Sequence, residues 1–510
     1  MKHNTRKRLG AAALCALLSL PLGGCTQQSA APVATLPPAA MRLPCPSGDL
    51  ALAYTSSASL YLPSLNGQRL LAQQATLELN HAASSAKSAV RTLLEYPAND
   101  VVRALSGTVN LTLYGRTPIE VSGGICTVNL ASSAKNLERE DFYTLCLSIA
   151  STLGQLGNLN SVNVLVADQA VGLDLAGRLP TGTVSAHPGE DLTVLWKEMV
   201  NRGTPLGGNA QQTPLTSAAT LYFPLSDGSG FVPEAQNITF EGQTPTQLAD
   251  GLLGALSAGA QYLEGICAMP DLYGMLISPP AASEMADGSR MITLSFEGDF
   301  EERLTRAGVD PACMTGAITY TLTTFIPGVS VVQIMCGQTP MTSVYSQSLG
   351  TLRFADGMQR RSQYTGMLME QVSVCMARGD HLVQVQRSIP CGDASDLRAL
   401  MKLLCGGPTA AEERAGYQPV MPEGIDETDL LGLSIVEDTL VINLSERFGQ
   451  AIAQQSVNEQ LMCYAMVNTL CEAKGLRRAC FYVTGDVMGT IGGDIYWGGE
   501  FMVNRSLIEP

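Results

Sequence analysis

The chain has 510 residues, of which 45% are hydrophobic, 15% charged and 5% aromatic, with a net charge of −15. That much apolar material over that length builds cores in several domains and excludes a disordered chain. The acidic balance argues against a nucleic-acid partner, which needs clustered Lys and Arg; four His (His3, His81, His187, His381) leave no His-rich metal site.

The first residues read as an export address. Lys2, Arg6, Lys7 and Arg8 precede an apolar run from Leu9 to Leu22, shorter than the roughly 20 residues a span needs. The run ends Leu22-Gly23-Gly24-Cys25, which resembles a bacterial lipobox with Cys25 as the lipidated first residue of the mature chain. Residues 1–24 are expected as the lipoprotein signal peptide. An ordinary cleaved signal, with Cys25 incidental, is the alternative. Residues 25–47, rich in Ala, Pro, Ser and Gln, are expected as a flexible tether. No later stretch is long and apolar enough to span. The protein is therefore expected on the extracytoplasmic face of the cell membrane, anchored by lipid.

Beyond the tether, one order of elements is predicted three times. In residues 48–188, a strand at Ala58–Pro63 leads through the turn signal Asn66-Gly67 into a hairpin, and a helix covers Ser84–Tyr96. Then come a strand at Ile125–Leu130, a helix over Asp141–Leu153 and a strand at Ser161–Val166. Residues 189–215 form a linker with a short helix at Leu192–Met199. Residues 216–365 repeat the order. A strand at Thr220–Pro224, the turn Asp227-Gly228 and a helix Thr246–Ser257 precede a strand Met291–Phe296, a helix Cys313–Thr324 and a strand Val329–Cys336. Residues 366–510 repeat it again. Strands Gln371–Cys375 and His381–Val385 flank Arg378-Gly379-Asp380, and a helix covers Asp393–Leu404. A strand Thr439–Ser445, a helix Glu459–Ala473 and a strand Arg478–Val483 close the segment. The second helices end alike, in Ser151-Thr152-Leu153, Tyr320-Thr321-Leu322 and Asn468-Thr469-Leu470. This alternation predicts an α+β fold of three tandem small α/β sandwich domains, each a mixed sheet with helices on one face.

Of 14 Cys, Cys15 lies in the signal and Cys25 at the anchor. The rest contain no C-x-x-C pair and sit mostly in apolar stretches, so free buried thiols are expected.

Certain residues carry a family resemblance. They are Leu221-Tyr222-Phe223-Pro224 with Val232-Pro233-Glu234, Ile442-Asn443-Leu444-Ser445, the helix tail Val467–Leu470, and the closing run from Gly493 to Phe501. Together they resemble the GerMN domain, named for the GerM sporulation and germination lipoproteins of endospore-forming bacteria. The first segment departs from the pattern: Leu62 replaces Phe, and no Pro-Glu follows. The resemblance implies a fold similar to ring-building motifs and three GerMN-like repeats. It also implies a role in assembling envelope complexes, and it brings no catalytic residues.

Residues that could disguise an enzyme were weighed separately. Ser226-Asp227-Gly228-Ser229 lacks the frame of a nucleophile elbow and reads as a turn. His381 beside Asp380 reads as a solvated turn residue. Glu138, Glu140 and Asp141 cluster at a helix start, where acids complement the dipole, and Asp299, Glu301 and Glu302 follow a strand. Glu423–Asp429 reads as a solvated acidic loop. Arg360, Arg361 and Arg505 occupy similar closing segments, with a ligand role as the sharper alternative. No catalytic residue, metal or cofactor is expected, and Cys25 is the only assigned site. The expected function is a non-catalytic, membrane-anchored interaction factor that binds envelope or sporulation-complex proteins. The alternative is a module that binds peptidoglycan or a small germinant, in a pocket lined by aromatics such as Tyr496 and Trp497. An envelope hydrolase ranks last.

Overall fold

The computed structural model describes residues 43–48, 54–79, 84–107, 109–157, 159–203, 213–392, 394–454, 458–487, 489–491 and 495–509. The signal peptide, Cys25, most of the tether, His3, His81 and Gly493 lie outside them. The compact body runs from Cys45 to Pro510.

The first segment contains strands β1 (Tyr54–Pro63) and β2 (Leu70–Leu79), helix α1 (Ser85–Glu95), and strands β3 (Ile119–Ser122) and β4 (Ile125–Leu130). It continues with helix α2 (Arg139–Leu153), strands β5 (Ser161–Val166), β6 (Gln169–Ala170) and β7 (Val184–Ser185), and helix α3 (Leu192–Gly203). The second has β8 (Leu215–Pro224), β9 (Phe231–Phe240), α4 (Pro245–Ala258), β10 (Ala281–Glu284) and β11 (Arg290–Phe296). Helices α5 (Phe300–Arg306) and α6 (Pro311–Phe325) follow, then β12 (Val329–Cys336), β13 (Thr339–Pro340), β14 (Ser343–Ser346), β15 (Gly350–Arg353) and β16 (Met358–Gln359). The third has β17 (Met369–Arg378), β18 (His381–Pro390), α7 (Leu397–Gly406), α8 (Ala410–Arg414), β19 (Leu430–Val436) and β20 (Thr439–Leu444). It ends with α9 (Glu446–Gln454), α10 (Glu459–Glu472), β21 (Arg478–Val483), β22 (Asp486–Val487) and β23 (Glu500–Met502).

The fold is α+β. Each segment pairs a two-stranded hairpin with a separate five-stranded mixed sheet. In the first, the sheet order is β3-β4-β5-β6, with β7 also on β5. The β4–β5 pair is parallel, in register from Ile125↔Ser161 to Leu130↔Val166. Parallel neighbours need a crossover, and α2 supplies it. Helices α6 and α10 play the same part for β11–β12 and β20–β21.

These crossover helices lie between sheet and hairpin, so their sides are covered all round. Burial follows: Phe142 to Leu153 of α2 and Ala312 to Phe325 of α6 are continuous buried runs. Helix α1 instead buries one stripe, Ala86, Ala89, Val90, Leu93 and Leu94, the spacing of a helix with one wet face. A helix covered on every side needs small and polar residues that bond within it. In α6 the hydroxyls of Thr319 and Thr323 donate to the carbonyls of Thr315 and Thr319, at 2.8 and 2.7 Å.

The Thr of each shared helix tail does something else. Its hydroxyl accepts the backbone N–H of the first hairpin strand: Tyr61 to Thr152 at 2.9 Å, Tyr222 to Thr321 at 3.0 Å, and Cys375 to Thr469 at 3.2 Å. A two-stranded ribbon has open edges with unpaired N–H groups. The tail Thr closes one such donor in each segment.

Two cores emerge. One buried cluster runs continuously from Ala58 to Leu368, across the first two segments. A second, from Val374 to Trp497, belongs to the third. Helix α3 extends the expected linker helix to Gly203 and buries Leu192, Leu195 and Met199. The end of the expected tether and the residue after it lie on the third segment: the Pro46 carbonyl accepts from Asn443 Nδ2 at 3.0 Å, and Gly432 leaves the space that Pro46 and Gly48 fill.

Candidate functional site

The residues singled out in the sequence do not converge on one centre. Ser226–Ser229 is a turn: Gly228 has φ 71°, Ser229 Oγ donates to Asp227 Oδ1 at 2.6 Å, and Ser226 Oγ donates to the Gly265 carbonyl at 2.9 Å. His381 is an exposed turn residue 3.5 Å from Asp380. Asp141 pairs with Arg103 at 3.3 Å, and Asp299 with Arg303 at 3.0 Å, both at helix starts. Arg505 pairs with Glu472 at 2.9 Å on the surface. Among the described residues, no group of three or more His, Cys, Asp and Glu is arranged to hold a metal ion.

One expectation and two alternatives are corrected. The loop Glu423–Asp429 is not simply solvated. Asp429 is buried and takes the Ser445 hydroxyl, the Arg447 guanidinium and the Asp426 N–H. Burial tends to raise its pKa, but those donors win and hold it below the usual carboxylate value. Trp497 does not line a pocket. It is fully buried among Phe448, Phe481 and Phe501 and donates its indole N–H to Glu459 at 2.9 Å, while Tyr496 faces solvent.

The third correction concerns Arg361, which is a structural cation rather than a ligand-binding one. Its Nη2 lies 2.6 Å from Glu120 Oε2, its Nη1 donates to Thr324 Oγ1 at 2.6 Å, and its guanidinium stacks 3.8 Å from the Tyr320 ring centroid. Tyr320 in turn donates to Glu120 Oε1 at 3.2 Å. Burial works against the Arg361 charge, but Glu120 outweighs it and raises the pKa further. Burial, then Glu120, push the Tyr320 hydroxyl well above its ordinary value. Glu120 is on β3, and its partners belong to the second segment. A second buried polar link joins Asn163 Nδ2 of β5 to Thr220 Oγ1 of β8 at 2.9 Å. Ser122 Oγ donates to the Met369 carbonyl of β17. The first segment is thus bonded to both others.

The Pro-Glu motif also has a physical role. Glu234 is buried, and its carboxylate accepts the backbone N–H groups of Gln261, Tyr262 and Leu263 at 2.8, 2.8 and 3.1 Å, and Gln236 Nε2 at 2.6 Å. It fastens the loop after α4, from which Tyr262 projects with 83% exposure.

The twelve Cys of the body are free thiols. Burial pushes up eleven of them, all but Cys391, with Cys336 and Cys375 reaching about 11 and Cys405, Cys471 and Cys480 about 12. None is poised as a thiolate nucleophile.

One concavity stands apart. An open groove of about 630 Å³ is lined by Tyr143, His187, Leu195, Glu198, Asn201 and Arg202. Helix α2 supplies Tyr143, the segment before α3 supplies His187, and α3 supplies the rest. The His187 N–H donates to Ser151 Oγ at 3.3 Å, and His187 Nδ1 lies 2.9 Å from Glu190. Only His187 among these residues drew attention in the sequence. Tyr143 sits within α2 and the others on the short helix α3, with no motif spacing to mark them.

An α+β fold in which a hairpin and a mixed sheet clasp a buried crossover helix is the class these observations define. Residues 374–488 match the family model Germane, described as sporulation and spore germination. In that segment the chain is similar to a sporulation and germination family, in line with the sequence resemblance. Among solved structures, the tandem GerMN domains of the sporulation protein GerM from Bacillus subtilis are 18% identical, with 56% of this chain and 92% of that chain covered and a TM-score of 0.21. A putative lipoprotein from Clostridium perfringens is 21% identical, with 26% and 87% covered and a TM-score of 0.18. The first GerMN domain of the Bacillus subtilis protein is 21% identical, with 22% and 83% covered and a TM-score of 0.17. No curated protein matches the chain.

Proposed function

We propose that this chain is a non-catalytic assembly factor of sporulation or spore germination. In this reading it is lipid-anchored through Cys25 on the extracytoplasmic face of the membrane and binds envelope or sporulation-complex proteins through three GerMN-like repeats, residues 48–188, 216–365 and 366–510. The observation that carries the reading is the match of residues 374–488 to a family described by sporulation and germination. The repeated hydrogen bond from the tail Thr to the hairpin supports one structural unit used three times. Among the described residues no helix is long and apolar enough to cross a membrane.

Deletion of the coding sequence in its host tests the role. The expected result is a loss of heat-resistant spores or slowed germination, with vegetative growth unchanged. Normal spore yield and germination in the deletion strain would overturn it. Cys25→Ser should release the protein from the membrane fraction, and full retention there would remove lipidation from the account.

A further inference from the structure

The groove beside α3 belongs to none of the contacts that hold the segments together. Its geometry has the parts of a small-molecule site. Tyr143 is 7% exposed and lines the groove. The ring is braced by Trp196, with centroids 5.9 Å apart. Burial first raises the pKa of the Tyr143 hydroxyl, Arg202 opposes the rise, and Glu198 and Glu190 reinforce it.

Their signs decide the ligand class. Arg202 has no carboxylate partner among the described residues and reaches only Met199 Sδ, a weak acceptor. Glu198 is likewise unpaired, and Glu190 is shared with His187. A simple anion entering the groove meets Glu198; a simple cation meets Arg202. A molecule with both charges satisfies both walls, with Leu195 as the apolar face. The volume lies within the ordinary range for small-ligand sites. We infer that this groove binds a zwitterionic amino acid or short peptide, its carboxylate on Arg202 and the Tyr143 hydroxyl and its ammonium on Glu198. The inference goes beyond the assembly role and does not depend on it. The α3 helix follows only the first segment, so one site per chain is expected.

Calorimetric titration of the full-length protein in detergent micelles with alanyl-alanine tests this directly. N-acetyl-alanyl-alanine lacks the ammonium, and alanyl-alanine amide lacks the carboxylate. Saturable binding of the dipeptide at a 1:1 ratio is expected, weakened at least tenfold for either blocked form. Arg202→Gln should erase the preference for the free carboxylate, and Glu198→Gln the preference for the free amine. Both residues are exposed, so folding is not at stake, and an unchanged circular dichroism spectrum checks it. No saturable heat up to millimolar dipeptide would overturn the inference. So would equal binding of all three compounds, or binding that both variants leave unchanged.

Discussion

At the scale of residues, the tail Thr ties sequence to structure most tightly. A Thr-Leu pair that recurs at three helix ends becomes an acceptor for an otherwise open strand edge. Thr321 is fully buried, so Thr321→Val keeps the shape, removes the acceptor and strands the Tyr222 N–H. The expected cost is about 1–3 kcal/mol in urea unfolding, with Thr321→Ser recovering most of it. Equal stability of the Val variant would show that the hydrogen bond carries nothing. Glu370 offers a pH test. It lies on β17, pushed up by burial to about 8 from its ordinary 4.5. Below pH 4.5 both folded and unfolded chains hold the proton. As pH rises from there to about 8, the unfolded chain releases it while the folded chain keeps it, so stability falls across that window. Glu370→Gln should flatten this slope and raise stability at pH 8 by on the order of 3 kcal/mol. Thermal melts from pH 5 to 9 measure both effects. A slope that survives in the variant would assign it to another group.

Elements show which part of the fold could be read from sequence. The hairpins and crossover helices were legible because turn pairs such as Asp227-Gly228 and long apolar runs leave local signals. Short elements leave almost none. Strand β3 is only four residues, Ile119–Ser122, and α9 makes its case with Phe448, Ala451 and Ile452 alone. The Pro-Glu motif was visible as a motif, but its purpose required the loop it holds, 27 to 29 residues away. Glu234→Ala should therefore loosen one element rather than the whole. Hydrogen exchange at Gln261–Leu263 should accelerate by tenfold or more, while exchange in α6 stays unchanged. Uniform acceleration across the second segment would contradict that local role.

For the whole molecule, contacts between segments matter, and these were hidden. Glu120 and Arg361 are 241 residues apart, and no spacing rule connects them. A ligand role for Arg361 was the sharper alternative because Arg360-Arg361 and Arg505 occupy similar closing segments. Its burial beside Glu120 and Tyr320 instead makes it a joint between the first two segments. Breaking a buried pair by removing one partner typically costs about 3–5 kcal/mol. Arg361→Met should lose that much, and the double variant with Glu120→Leu should recover most of it. A double variant no better than the single would mean that the pair is not what couples these segments. The first two segments share one core and the third has its own, yet all are bonded into one body. The most direct test of the assembly role is affinity capture of the anchored protein from sporulating and vegetative envelopes of its host. The account predicts a defined set of envelope proteins recovered from sporulating cells and absent from vegetative ones. Recovery of wall fragments alone, equally from both, would contradict it.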